Sequence, residues 1–147
     1  MTSQTIDILH EPVCLTMQAT PDAVLEAEAE TLRLARELHL DVRTAGLLAR
    51  AVGELVLNAC TYAYRSEAGV VTTEFSYHDG LLDITVSDAG SGFNCNEFFR
   101  PDGTPGPKAQ PKMGLMRAAR AADRISVASG RFGTTIRMVK RIRNDEQ

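Results

Sequence analysis

The chain has 147 residues, 44% hydrophobic and 24% charged, with a formal net charge of -3. That length suits a single domain spanning residues 1–147 with one sizeable core, and the mildly acidic balance gives no electrostatic footprint for nucleic acid. No apolar run approaches the roughly 20 residues that span a bilayer, and no basic flank followed by an apolar run marks a signal peptide, so no membrane partner is expected.

In chain order, residues 5–18 hold short apolar stretches broken at Glu11-Pro12 and read as one or two edge strands. Thr20-Pro21-Asp22 opens a helix, with threonine as cap, proline in the first turn and an acid at the positive end of the dipole. Val24, Leu25, Leu32, Ala35 and Leu38 give it an apolar stripe. Asp41 caps a second helix, striped by Ala45, Leu48, Val52, Leu55, Val56 and Ala59 and running to about Tyr64. Gly69 ends the connection that follows. Val70 to Tyr77 and Leu81 to Asp88 read as strands joined at His78-Asp79-Gly80, which carries the Asp-Gly signal of a hairpin.

The texture then changes. Residues 89–112 hold four glycines and four prolines, and a loop of that length in a small domain is usually functional. A third helix is expected from about Met113 to Asp123, then strands over Ile125–Ala128 and Thr134–Val139 joined by a turn at Ser129–Gly133. Helices and strands in separate runs predict an α+β two-layer sandwich, a mixed and mostly antiparallel sheet with helices on one face. Arg137, Lys140, Arg141 and Arg143 read as a solvated strand end. Cys14, Cys60 and Cys95 are scattered, odd in number and without a CxxC pair, which fits a reducing cytoplasm better than a disulfide framework or zinc site.

Four features carry chemistry. Glu54 and Asn58 are four apart on the second helix and share a face. Asn58 offers an oxygen to hydrated magnesium and Glu54 a base for an attacking hydroxyl; the pair alone reads equally as solvent-facing. Asp88 continues the core-facing row Leu82, Ile84, Val86, where a carboxylate needs a specific partner. An adenine amine is a good one, since a carboxylate accepts and the amine donates. Gly90 and Gly92 after it allow close backbone approach, although a strand end followed by a glycine turn has the same pattern. Gly114 lies near a helix start flanked by Lys108, Lys112 and Arg117, a natural phosphate site or else a charged surface loop. On the last strand Thr134 shares a face with Ile136 and Met138, so its hydroxyl points inward and can steady Asp88 or a bridging water; a β-branched residue in a strand is also ordinary. No GxxxxGK[ST] loop, HExxH helix or GxSxG elbow is present.

Taken together, Glu54-x-x-x-Asn58 on a helix, Asp88-x-Gly90-x-Gly92 after a strand, Gly114-Leu115 opening a helix and Gly133-Thr134-Thr135 on a strand resemble the GHKL, or histidine kinase-like, ATPase superfamily over about residues 20–140. Within it, the short chain resembles the anti-sigma-factor and switch-protein serine kinases. The resemblance implies the Bergerat-type fold, with ATP and Mg2+ as cofactors. It makes Asn58 the magnesium ligand, Glu54 the catalytic base and Asp88 the adenine reader with Thr134 in support. Gly90, Gly92, Lys112, Gly114 and Leu115 would line the nucleotide, under a lid at about residues 94–112. It further implies an ATP-dependent protein serine kinase that phosphorylates an anti-anti-sigma (STAS-domain) partner, sequesters a sigma factor and forms a homodimer. Two positions depart from the pattern: Tyr62 stands where the family often has histidine, as in related kinases that phosphorylate scaffold proteins, and Lys112 replaces a usual lid glycine. The second departure bears on phosphoryl transfer more than on nucleotide binding; the alternatives are a nucleotide-dependent partner-switch module with little catalysis, or a scaffold-phosphorylating switch kinase that does not bind sigma.

Overall fold

The computed structural model describes residues 12–64, 68–90, 100–102, 104, 106–107, 114–130 and 132–142, with the backbone alone at 62–63 and 114–116. The elements are β1 (Val13–Gln18), α1 (Pro21–Glu37), α2 (Val42–Asn58), a π-helical turn (Ala59–Ala63), β2 (Val70–His78), β3 (Leu81–Asp88), α3 (Gly114–Ala121), β4 (Arg124–Gly130) and β5 (Gly133–Arg141). The strands form one sheet in the order β1-β2-β3-β5-β4, and every described pairing is antiparallel. This is the expected α+β architecture. Period-2 alternation turns Val71, Phe75, Leu82, Ile84, Val86, Ile136 and Met138 to one face, where they pack with Leu34, Leu48, Val52, Leu55 and Val56 of the helices. The other face keeps exposed Thr16, Glu74, Thr135 and Arg137.

Local chemistry places the element ends. Asp79 (φ 55) and Gly80 (φ 77) are both left-handed, which makes the two-residue β2–β3 turn that matches strand twist. Asp41 caps α2 by accepting the Thr44 N–H at 3.4 Å. Thr20 has the extended backbone of a helix cap but makes no side-chain capping bond, so Pro21 and Asp22 carry that start. The α1 helix ends on left-handed His39, with the Leu40 N–H donating to the Ala35 carbonyl at 3.0 Å. Strands β4 and β5 reach further than the sequence suggests, leaving a short turn with Phe132 at its tip.

Three elements differ from expectation. In α1 the buried residues are Ala23, Ala27, Thr31, Leu34 and Ala35, with Leu38 just past its end; of the expected stripe Ala35 and Leu38 are buried, whereas Leu25 and Leu32 are 65% and 40% exposed. Alanines bring α1 close to its neighbours, and two of its bulkier leucines fall on the outside. The second helix is α-helical only to Asn58 and continues as the π-helical turn, in which the Tyr64 N–H reaches back five residues to the Ala59 carbonyl at 3.2 Å. The third helix stops at Ala121, two residues short of Asp123. No helix among the described residues is long and apolar enough to cross a membrane.

The two faces of α1 give opposite expectations. Leu34→Ala should cost about 2–5 kcal/mol in denaturant unfolding, the usual range for truncating a buried leucine. Leu32→Gln should stay within about 0.5 kcal/mol of the parent, as surface changes do. Equal losses would show that the leucine stripe read from the sequence is the buried one.

Candidate functional site

Rows of paired residues cross the helix-facing side of the sheet. One row is Phe75, Ile84, Met138 and Ile125; the next is Thr73, Val86, Ile136 and Val127; the last is Val71, Asp88, Thr134 and Ser129. Chemistry changes abruptly at that last row, where apolar side chains give way to a carboxylate and two hydroxyls. Asp88 is half-buried there, and its Oδ1 accepts the N–H of Gly90 (3.1 Å) and of Thr134 (3.2 Å). Burial pushes the Asp88 carboxyl above the ordinary aspartate range, against the downward pull of those two N–H groups.

The Thr134 contribution differs from the one expected. Its backbone N–H holds Asp88, while its hydroxyl is 2.9 Å from the Ser129 hydroxyl across the β4–β5 pair. The approach of β5 to Asp88 depends on Gly133. Its φ of 139 is open to glycine, and a Cβ there would lie 2.0 Å from the Asp88 carbonyl oxygen. A cleft of about 320 Å³ opens at this corner, lined by Asp88, Ser129, Gly130, Phe132 and Gly133 among others. A cleft of about 450 Å³ lies at the other end of the sheet, beside His39, Asp41, Asp123, Lys140 and Arg141. There Asp123 accepts the Arg141 backbone N–H at 2.6 Å and pairs with Lys140 at 3.8 Å, whereas the smaller cleft holds the half-buried Asp88.

Glu54 and Asn58 are both half-buried on the last turns of α2. Glu54 Oε2 accepts from Arg117 Nη1 at 3.2 Å, which joins α2 to α3. Arg117 thus faces the carboxylate here, whereas its place in the sequence suggested a phosphate contact. Gly114 is the first residue of α3. Gly92 and Lys112 lie outside the described residues, as does the side chain of Leu115 and most of the expected lid. No cluster of three metal-binding His, Cys, Asp or Glu side chains occurs among the described residues. A lone amide oxygen at Asn58 suits magnesium, which keeps its waters and takes its other ligands from nucleotide phosphates.

Sequence reasoning passed over Tyr64. Its hydroxyl donates to the Val70 carbonyl (2.7 Å) and accepts the Ala89 N–H (2.8 Å), tying the end of the α2 segment to both β2 and the residue after Asp88. Its ring lies on Gly69, where a Cβ would come within 2.4 Å of ring carbons. An aromatic hydroxyl five residues before a glycine was the available signal.

With this geometry in place, the comparisons agree on class. The model of the histidine kinase-like ATPase domain matches residues 17–140, and the chain belongs to that family. Its fold is similar to the structure of the RsbU and RsbW domains of Rv1364c from Mycobacterium tuberculosis, with a TM-score of 0.66 and 21% identity over 89% of this chain. The match spans 32% of that longer protein. It is also similar to the SiaB-SiaC complex from Pseudomonas aeruginosa, with a TM-score of 0.65 and 12% identity, covering 94% of each chain. No curated protein sequence matches significantly.

Two substitutions probe the corner. Gly133→Ala should cost about 2–3 kcal/mol in denaturant unfolding, because the clash is with backbone and the φ is strained for alanine; parental stability would refute the close approach. Asp88→Asn keeps an Oδ1 acceptor for both N–H groups and removes the burial cost of the charge. The raised pKa means the folded state holds its proton to higher pH than the unfolded chain, so ionisation lowers stability as pH rises through the window between the two values. The Asn variant should therefore be more thermostable than the parent at neutral pH, with the gain vanishing as pH falls below the ordinary aspartate range. Thermal melts of both proteins across pH check it, and a variant less stable than the parent at neutral pH would reverse the sign.

Proposed function

We propose that the protein binds ATP at the Asp88 corner and transfers its γ-phosphate to a serine of an anti-anti-sigma, STAS-domain partner, and that it sequesters a sigma factor in competition with that partner. The observation that carries the reading is Asp88. A half-buried carboxylate whose two backbone contacts both fall on Oδ1 leaves Oδ2 to accept from the adenine amine. Family membership makes ATP the expected nucleotide. Similarity to the RsbU and RsbW domains of Rv1364c and to the SiaB-SiaC complex supports partner exchange as the setting.

Each residue has a task in this reading. Gly90 and Thr134 fix the carboxylate through their N–H groups, and Gly133 lets β5 close on it. Gly92, Lys112 and Leu115 complete the nucleotide wall. The first N–H groups of α3, from Gly114, point at phosphate oxygens. Asn58 presents its amide oxygen to Mg2+, which neutralises charge on the phosphates. Glu54, one turn earlier on the same face, takes the proton of the attacking serine. The residues at about 94–112 close over the nucleotide. The protein works as a single domain over residues 1–147, in the cytoplasm and as a homodimer.

One observation favours a second reading, nucleotide-dependent partner exchange with little transfer. Arg117 occupies Oε2 of Glu54, the side chain that transfer needs. Incubation with γ-labelled ATP and a candidate STAS-domain protein decides between them. Transfer should fall by about 10²–10⁴-fold in Glu54→Ala, the range for losing a general base, while ATP affinity changes little. ATP binding with no label on any candidate, and no dependence on Glu54, would favour the second reading.

A further inference from the structure

The β2–β3 ladder pairs Val71 with Asp88, and in the same register Val70 faces Ala89. Among the described residues no direct backbone hydrogen bond joins those two. The Tyr64 hydroxyl stands between them, donating to the Val70 carbonyl and accepting the Ala89 N–H. One hydroxyl therefore replaces a ladder bond at the first position beyond Asp88. We infer that Tyr64 is a positioning residue for nucleobase recognition: its hydroxyl wedges β3 away from β2 at Ala89 and so holds the Asp88–Gly90 segment open for the adenine ring.

Three further observations fit one device. The π-helical turn at Ala59–Ala63 takes the chain out of α-helical register just before Tyr64. Gly69 has no Cβ, and the ring occupies the space a Cβ would fill. Gly90, held at 3.1 Å by Asp88 Oδ1, follows directly on the wedged residue, so a shift at Ala89 is passed to the carboxylate's own partner. Without the hydroxyl, the Val70 carbonyl and Ala89 N–H are free to bond directly. That closure draws Ala89 and Gly90 toward β2 and turns Asp88 away from its reading position. The register of the ladder already sets the two groups opposite each other, so direct bonding would extend the β2–β3 pairing by one step.

The inference rests on the nucleotide reading above, and the experiment separates the two. Parent, Asp88→Asn, Tyr64→Phe and, as a control at the far end of β2, Tyr77→Phe are titrated with ATP and GTP in the presence of Mg2+, with a thermal melt of each. GTP presents an oxygen where ATP presents the amine. Tyr64→Phe keeps the ring on Gly69 and should weaken ATP about 3- to 10-fold, the range for losing a hydrogen bond or two, with GTP nearly unchanged. The ATP-to-GTP preference then falls by a similar factor, while Tyr77→Phe leaves it intact. Parental ATP affinity and preference in Tyr64→Phe would overturn the inference with the ATP site intact. An equal loss for both nucleotides that tracks a lowered melting temperature overturns it too, since a purely structural tyrosine does that. A parent that binds neither nucleotide, or an Asp88→Asn variant that binds ATP as well as the parent, overturns the nucleotide reading itself and the inference with it.

Discussion

A carboxylate sits at the end of a row of apolar side chains, and much of this corner of the molecule is arranged around tolerating it. Asp88 continues the line of Leu82, Ile84 and Val86, and at half burial it loses hydration that a protein interior does not replace. Two backbone N–H groups compensate in part, from Gly90 in the chain just ahead and Thr134 on the neighbouring strand. Compensation is incomplete, since burial still outweighs both contacts in setting the acid's ionisation. An imperfectly satisfied acceptor at such a site is a standing cost in stability, and a donor from outside would relieve it.

The rest of the fold follows from keeping that row in place. Rows toward the middle of the sheet are apolar apart from Thr73 and pack on α1 and α2, so they fix strand register; register in turn sets which residue faces Asp88. A one-residue slip of β5 would put Thr135 or Gly133 opposite Asp88 and turn Ile136 and Met138 to the open face. The helix side is fastened separately. Arg117 meets Glu54 before Asn58, and Tyr64 meets Val70 and Ala89 after it, so the stretch that carries Asn58 is tied to α3 on one side and to the sheet on the other.

What the sequence disclosed, and what it withheld, divides along side chain and backbone. Alternation alone turned Asp88 inward and placed the β2–β3 hairpin, because strand periodicity and an Asp-Gly turn are strong local signals. The helix pair Glu54 and Asn58 followed from a period of 3.6. Failures came where that period was ambiguous or broken. In α1, leucines and alanines lie on both faces, and a stripe drawn through the larger residues chose Leu25 and Leu32, while close helix packing uses Ala23 and Ala27. Past Asn58 the chain leaves the α-helical register, so reading Tyr64 as one more helical residue hid its hydroxyl. Thr134 was chosen for its side chain and acts on Asp88 through its amide, a donor that any residue but proline supplies. The position therefore needs a strand N–H and a glycine before it more than it needs threonine.

One contact bears on the long connection between Asp88 and α3. The Pro101 carbonyl accepts the Val127 N–H at 3.2 Å, on the edge of β4 that no strand among the described residues covers. Around it the chain folds into a tight turn, with Asp102 Oδ1 accepting both the N–H and the hydroxyl of Thr104 and the Arg100 N–H donating to the Thr104 carbonyl. The turn blunts an open sheet edge, a site where foreign strands would otherwise pair. It also divides one long connection into two shorter spans, one anchored at Gly90 and the other at Gly114. Loop-closure entropy rises only slowly with length, so the division gains little in stability. Its consequence is positional: Val127 lies one row from Ser129, so the contact at Pro101 is made beside the Asp88 corner.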